Sequence, residues 1–140
     1  MSKPEAKAVV KHMMANDAFS QWLGVEVLEA KEGYCKLQMT MREEMTNGFN
    51  IAHGGISFSL ADSALAFASN ARGDHALSIE TSIAHTRPAH VGELLFAEAV
   101  EKSHTKRFGI YEIQVTNERG ELIALFKGTI YRTGKKWMID

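Results

Sequence analysis

A chain of 140 residues, 45% hydrophobic and 24% charged, has the make-up of an ordinary globular protein. It is long enough to bury about two-thirds of its unfolded surface, and one domain spanning residues 1–140 is the expectation. A net charge of −1 excludes a broad nucleic-acid footprint, so any anionic ligand must meet a local basic patch. The single Cys35 excludes an internal disulfide and fits a reducing, cytoplasmic setting.

The N-terminal stretch lacks a basic start followed by an apolar run, so no signal peptide is expected. Pro4 to about Asn16 reads as helix, with Val9, Val10, Met13 and Met14 on one stripe. Asp17 is placed to cap a short second helix carrying Phe19, Trp22 and Leu23 and ended by Gly24. Two strands follow, about Val25–Ala30 and Tyr34–Met41, joined by Lys31-Glu32-Gly33. The second alternates Cys35, Leu37, Met39 and Met41 against Lys36, Gln38 and Thr40, so one face is buried.

From Asn47 to Gly73 the chain reads as a polar loop, a His53-Gly54-Gly55 turn and a long helix closed by Gly73. The helix is apolar almost all round, which marks it as buried, yet it carries Asp62 as its only acid. Its length approaches a short membrane span, but Asp62, the serines and the glycines argue against lipid. Four strand signals follow: Ala76–Thr86, Glu93–Lys102, Phe108–Thr116 and Glu121–Arg132. In the first, Leu77, Ile79, Thr81, Ile83 and His85 alternate with Ser78, Glu80, Ser82 and Ala84. The short polar or glycine-bearing connections read as antiparallel hairpins, and Gly134–Asp140 is too short to pack by itself. The fold class is therefore α+β, a curved antiparallel sheet wrapped around one long central helix. One helix cannot cover both faces or hide every edge, so a homo-oligomer is expected.

At 3.6 residues per turn, Gly55, Ser59, Asp62, Ala66 and Ser69 share one narrow stripe, and all but Asp62 are small. The stripe is either a wet helix edge or the wall of a slot in which Asp62 reacts. The glycine pair favours the slot. A ligand there can approach backbone N–H groups that lack intrahelical partners, at the positive end of the helix dipole. Gly54 and Asp62 are eight residues apart, so within one helix they stand ~12 Å apart. No single carbonyl can meet both, and a site using both must be built from two chains.

The run Asn47-Gly48 … His53-Gly54-Gly55 … Leu60-Ala61-Asp62, followed by Arg87-Pro88-Ala89, resembles the hotdog-fold acyl-CoA thioesterases, nearest their phenylacetate-degradation (PaaI-type) branch. The resemblance spans roughly Asn16 to Arg132. It implies Asp62 as general base or nucleophile, Gly54 as backbone donor to the thioester oxygen, His53 beside it, and Asn47 as a placer of substrate or water. Ser78 matches a serine used by some relatives. Gly55 belongs to the same turn, and Arg87, Lys106 and Arg107 are candidates for the coenzyme A phosphates. An acyl-CoA substrate and a dimer or dimer of dimers are implied, with neither cofactor nor metal. Two rivals stand beside this reading: a hotdog hydratase, which would need a histidine that the residues after Asp62 do not supply, and a non-catalytic acyl-binding protein.

Overall fold

The structure is a computed structural model that describes residues 3–139. Two short helices come first, α1 (Ala6–Ala15) and α2 (Ala18–Leu23). Val9 and Val10 of α1 are buried, and Asp17 caps α2 by accepting the Ser20 N–H at 2.9 Å. Strands β1 (Glu26–Lys31) and β2 (Tyr34–Thr40) form the expected hairpin, turned by Gly33 in the left-handed region at φ 71°. A 3-10 turn at Glu43–Met45 leads to the loop before α3 (Gly54–Asn70). The helix stops three residues short of Gly73, which takes φ 99° and returns its N–H to the Asn70 carbonyl at 2.9 Å.

Strands β3 (Asp74–His85), β4 (Leu94–His104), β5 (Phe108–Asn117) and β6 (Leu122–Lys136) complete one antiparallel sheet in the order β1-β2-β4-β5-β6-β3. β4 enters between β2 and β5, so the β3–β4 connection is not the hairpin expected from its length. β3 instead pairs with β6 alone. Its alternation also failed to give a buried face: β3 is an edge, with Leu77 65% and Ile79 57% exposed. A twelve-residue edge without proline that exposes Leu77 and Ile79 is a template for pairing with another chain.

The sheet's inner face covers α3. Cys35, Leu37 and Met39 of β2 meet Leu60, Ala64, Leu65 and Phe67 of the helix in one core with Leu95, Ile113 and Phe126. Burying each such Leu or Phe contributes ~1.5–3 kcal/mol. Helix and sheet come close at Gly128, where an added Cβ would lie 2.5 Å from Leu65 Cδ2. Gly128→Ala must push Leu65 out of a filled site, and about 1–3 kcal/mol of destabilisation is expected in denaturant melts. An unchanged midpoint would show that Leu65 has room to move.

The C-terminal stretch corrects the sequence reading most. β6 continues four residues past Arg132, bulging through Gly134 at φ 95° before Lys136 pairs with Asp74. Trp137 then docks: its indole donates to Asn70 Oδ1 at 2.9 Å and stacks on His75 with ring centres 4.2 Å apart. Among the described residues no helix is long and apolar enough to cross a membrane.

Candidate active site

The loop before α3 is held by Asn47. Its backbone N–H donates to the Ile51 carbonyl at 2.8 Å, and its side-chain oxygen accepts the Phe49 N–H at 2.9 Å. Asn50 takes the left-handed conformation (φ 61°) that asparagine tolerates, and Phe49 is left 85% exposed at the tip. With its oxygen occupied, Asn47 has only its amide N–H₂ to offer a ligand.

His53 is the N-cap of α3. Its Nδ1 accepts the Gly55 N–H at 2.9 Å, so in the neutral ring Nε2 carries the hydrogen. The glycine pair was expected to offer its backbone N–H groups to a substrate, but His53 already occupies that of Gly55. The Gly54 N–H has no partner among the described residues, and it is the free donor at this helix end.

Gly54 and Asn47 line one recess of about 420 Å³ with Ser57, His85, Arg87 and Ile123. Arg87 is also in ion-pair range of Glu121 at 3.4 Å. Asp62 opens elsewhere, into a smaller recess of about 140 Å³ that it shares with Ser78, Ala66, Leu77 and Ile130. The two recesses fall two helical turns apart along α3, as the ~12 Å separation requires.

Asp62 is half-buried, and among the described residues its carboxylate accepts no hydrogen bond. Burial, and after it the charge of Asp17, holds its carboxyl above the usual range. Asp17 was expected only to cap α2. Its carboxylate also receives the Ser20 hydroxyl at 2.7 Å, and Ser20 meets Ser63 of α3 at 2.8 Å, which docks α2 beside Asp62. Asp17→Asn keeps a capping side chain and removes the charge. Followed by carboxyl NMR, the Asp62 titration is expected to move to lower pH in that variant; no movement would show that burial alone sets it.

Lys106 and Arg107 do not join Gly54. They line a separate basic recess of about 210 Å³ with Arg132, Lys136 and Asp74, at the end of the sheet where β3 begins. Arg132 is buried, and its guanidinium donates to the Thr105 and Phe108 carbonyls at 2.8 and 2.9 Å. The small-residue stripe is open from Gly55 to Ala66 and closed at Ser69, whose buried hydroxyl donates to the Leu65 carbonyl. Phe67 is core, Phe58 packs edge-on against Phe126, and Phe49 stands exposed at the tip of the loop. Among the described residues no three His, Cys, Asp or Glu side chains are grouped to hold a metal ion.

Residues 49–124 match the Thioesterase superfamily. The acyl-coenzyme A thioesterase PaaI of Escherichia coli is 37% identical over 122 residues, 87% of each chain. The chain belongs to the thioesterase superfamily. Human acyl-coenzyme A thioesterase 13 is more distant, at 30% identity over 84% of this chain and 87% of its own. The structure of the E. coli PaaI protein, from the phenylacetic acid degradation operon, superposes with a TM-score of 0.92 at 35% identity, covering 94% of this chain and 95% of that one. The expected hotdog architecture and PaaI-type membership therefore hold, and the chain is an enzyme of the thioester hydrolase class. His85 and Ser57 were missed by sequence reading. Their signal is spatial, because 31 residues separate His85 from the glycine it touches.

Proposed function

We propose that this chain hydrolyses an acyl- or aryl-acyl-CoA thioester to the free acid and coenzyme A, at sites shared between two copies. The observation that carries the reading is the division of α3: a free Gly54 donor opens to one recess, and an unpaired, basic Asp62 carboxylate opens to another. The exposed β3 edge supplies the surface along which a second copy would bring Gly54 of one chain to Asp62 of the other.

In this site the Gly54 N–H hydrogen-bonds the thioester oxygen and stabilises the negative charge that grows there. Asp62 takes a proton from water as hydroxide adds to the carbonyl carbon, or attacks that carbon itself to give an anhydride that water then opens. In both routes the tetrahedral intermediate collapses with loss of the coenzyme A thiolate, a leaving group stable enough to depart without a metal. Desolvation raises the basicity of Asp62 and suits it to either role. His53 offers Nε2–H beside the oxygen, Asn47 offers its amide N–H₂, and Ser78 stands with Asp62. Arg87, and the separate Lys106–Arg107 recess, supply positive charge for the coenzyme A phosphates.

The relatives named as acyl-coenzyme A thioesterases support the substrate class. The test is thiol release from a panel of acyl-CoA thioesters with short, long and aromatic acyl groups. Turnover of at least one member is expected, and no release from any member overturns the reading.

A further inference from the structure

The first turn of α3 contains a second histidine contact, and its proton positions can be worked out. The Gly54 carbonyl can only accept. Ser57 Oγ lies 3.2 Å from it and donates there. The same Ser57 oxygen therefore faces His85 Nε2, 3.0 Å away, with its lone pairs, and the Gly54 carbonyl lies 3.2 Å from that nitrogen. Both neighbours of Nε2 are acceptors toward it, so Nε2 carries hydrogen. The ring also fills the space in front of Gly54, where an added Cβ would sit 3.2 Å from Cε1 and 3.4 Å from Nε2.

His53 holds the other side of this turn through the Gly55 amide. Two histidines thus clamp the peptide that joins Gly54 to Gly55, one on its N–H and one on its carbonyl, and through it they hold the Gly54 α-carbon, to which the nitrogen of the free N–H is bonded. The Gly54 N–H is the group left over. A single backbone donor stabilises a developing oxyanion only if it is held to within about 0.5 Å and 10–20° of the productive direction.

We propose that His85, acting through Ser57 and the Gly54 carbonyl, is a positioning residue that fixes the direction of the Gly54 N–H. The inference rests on Gly54 as the thioester donor. It assigns His85 no contact with the reacting atoms. An interaction that matters only for the transition state changes kcat and leaves KM nearly constant.

His85→Phe keeps the ring and removes the donor, while His85→Gln places an amide N–H near the Nε2 position. In His85→Phe and in Ser57→Ala, kcat is expected to fall about tenfold with KM within about twofold, because a misdirected donor loses only part of its stabilisation. Their double variant should fall little further, and His85→Gln should recover most of the loss. The residual dipolar coupling of the Gly54 N–H, read by NMR on the same samples, reports its direction and should change in His85→Phe and lie near the wild-type value in His85→Gln. An unchanged coupling overturns the positioning role whatever the turnover. A raised KM at constant kcat, or additive losses in the double variant, also overturns it. Asp62→Asn in the same assay keeps the failures apart: if it retains turnover, the shared-site reading falls; if it is inactive while the His85 variants match wild type, only this proposal falls.

Discussion

Asp62→Asn is expected to lower thioester turnover by about 10³-fold or more while leaving the protein at least as stable at neutral pH. The two halves of this result have one cause. Asp62 is half-buried without a hydrogen bond among the described residues, and it stands near the Asp17 charge, so its carboxyl is held above the usual range. A carboxyl whose folded-state pKa is raised binds its proton more tightly in the folded protein than in the unfolded chain. Its favourable contribution is complete below the unfolded value and is lost as pH rises through the folded value. At neutral pH the ionised group therefore weighs against folding. Asparagine is nearly isosteric and carries no charge, so it removes that penalty along with the base.

The thermal midpoint of Asp62→Asn should accordingly exceed that of wild type at neutral pH. The gap should close as pH falls into the ordinary carboxylate range, where both side chains are neutral. Scanning calorimetry across that window reads the effect directly. A variant clearly less stable than wild type at neutral pH would mean that Asp62 has a structural partner. Wild-type-like turnover would end its role in the chemistry. A loss of activity that accompanies a gain in stability is the pattern expected of a group kept for function against the interests of folding.

The fold was legible where one residue pattern has one physical meaning. An all-round apolar helix must be buried, and α3 is; strict alternation in Tyr34–Met41 means one covered face, and β2 has it. The same alternation in β3 misled, because period two reports which side chains share a face and not whether anything covers it. β3 lies at the sheet edge beyond β6, so Leu77 and Ile79 stay open in the single chain. Strand order itself is absent from local pattern, and for that reason the short β3–β4 connection read as a hairpin. The C-terminal stretch failed for a different reason. Gly134 looks like a stop, yet it supplies the positive φ of a bulge, after which pairing with Asp74 resumes.

The candidate site divides in the same way. Asp62 and the glycine pair stood out because an acid in an apolar helix and two adjacent glycines are locally costly choices. Which glycine amide is free could not be read, since it depends on the His53 ring turning back onto Gly55. His85 and Ser57 look ordinary in sequence, and their meaning comes from β3 passing in front of the helix start.

Two inactive variants should restore each other if the site is shared. Gly54→Pro removes the free N–H at the first helical position, where proline fits and no hydrogen bond is lost. His53, at φ −60° and ψ 137°, already has the extended backbone that precedes proline. A Cβ at Gly54 asks the His85 ring to give by only a few tenths of an ångström, and the fold is expected to survive. Alone, this variant lacks the donor at every site, and Asp62→Asn lacks the base at every site. In a mixed dimer, one site pairs the intact Gly54 of the Asp62→Asn chain with the intact Asp62 of the Gly54→Pro chain, and the other site has lost both groups. Mixed dimers isolated with two affinity tags should therefore show about half the wild-type turnover, and a random mixture about one quarter. If donor and base acted within one chain, every site in either sample would carry a defect, and the mixture would be no more active than its parents. Recovery to these fractions also requires that the copies meet through a two-fold contact, for which the proposal uses the unpaired edge of β3. Two like charges placed there, Leu77→Lys with Ile79→Lys, should abolish both the dimer and the complementation.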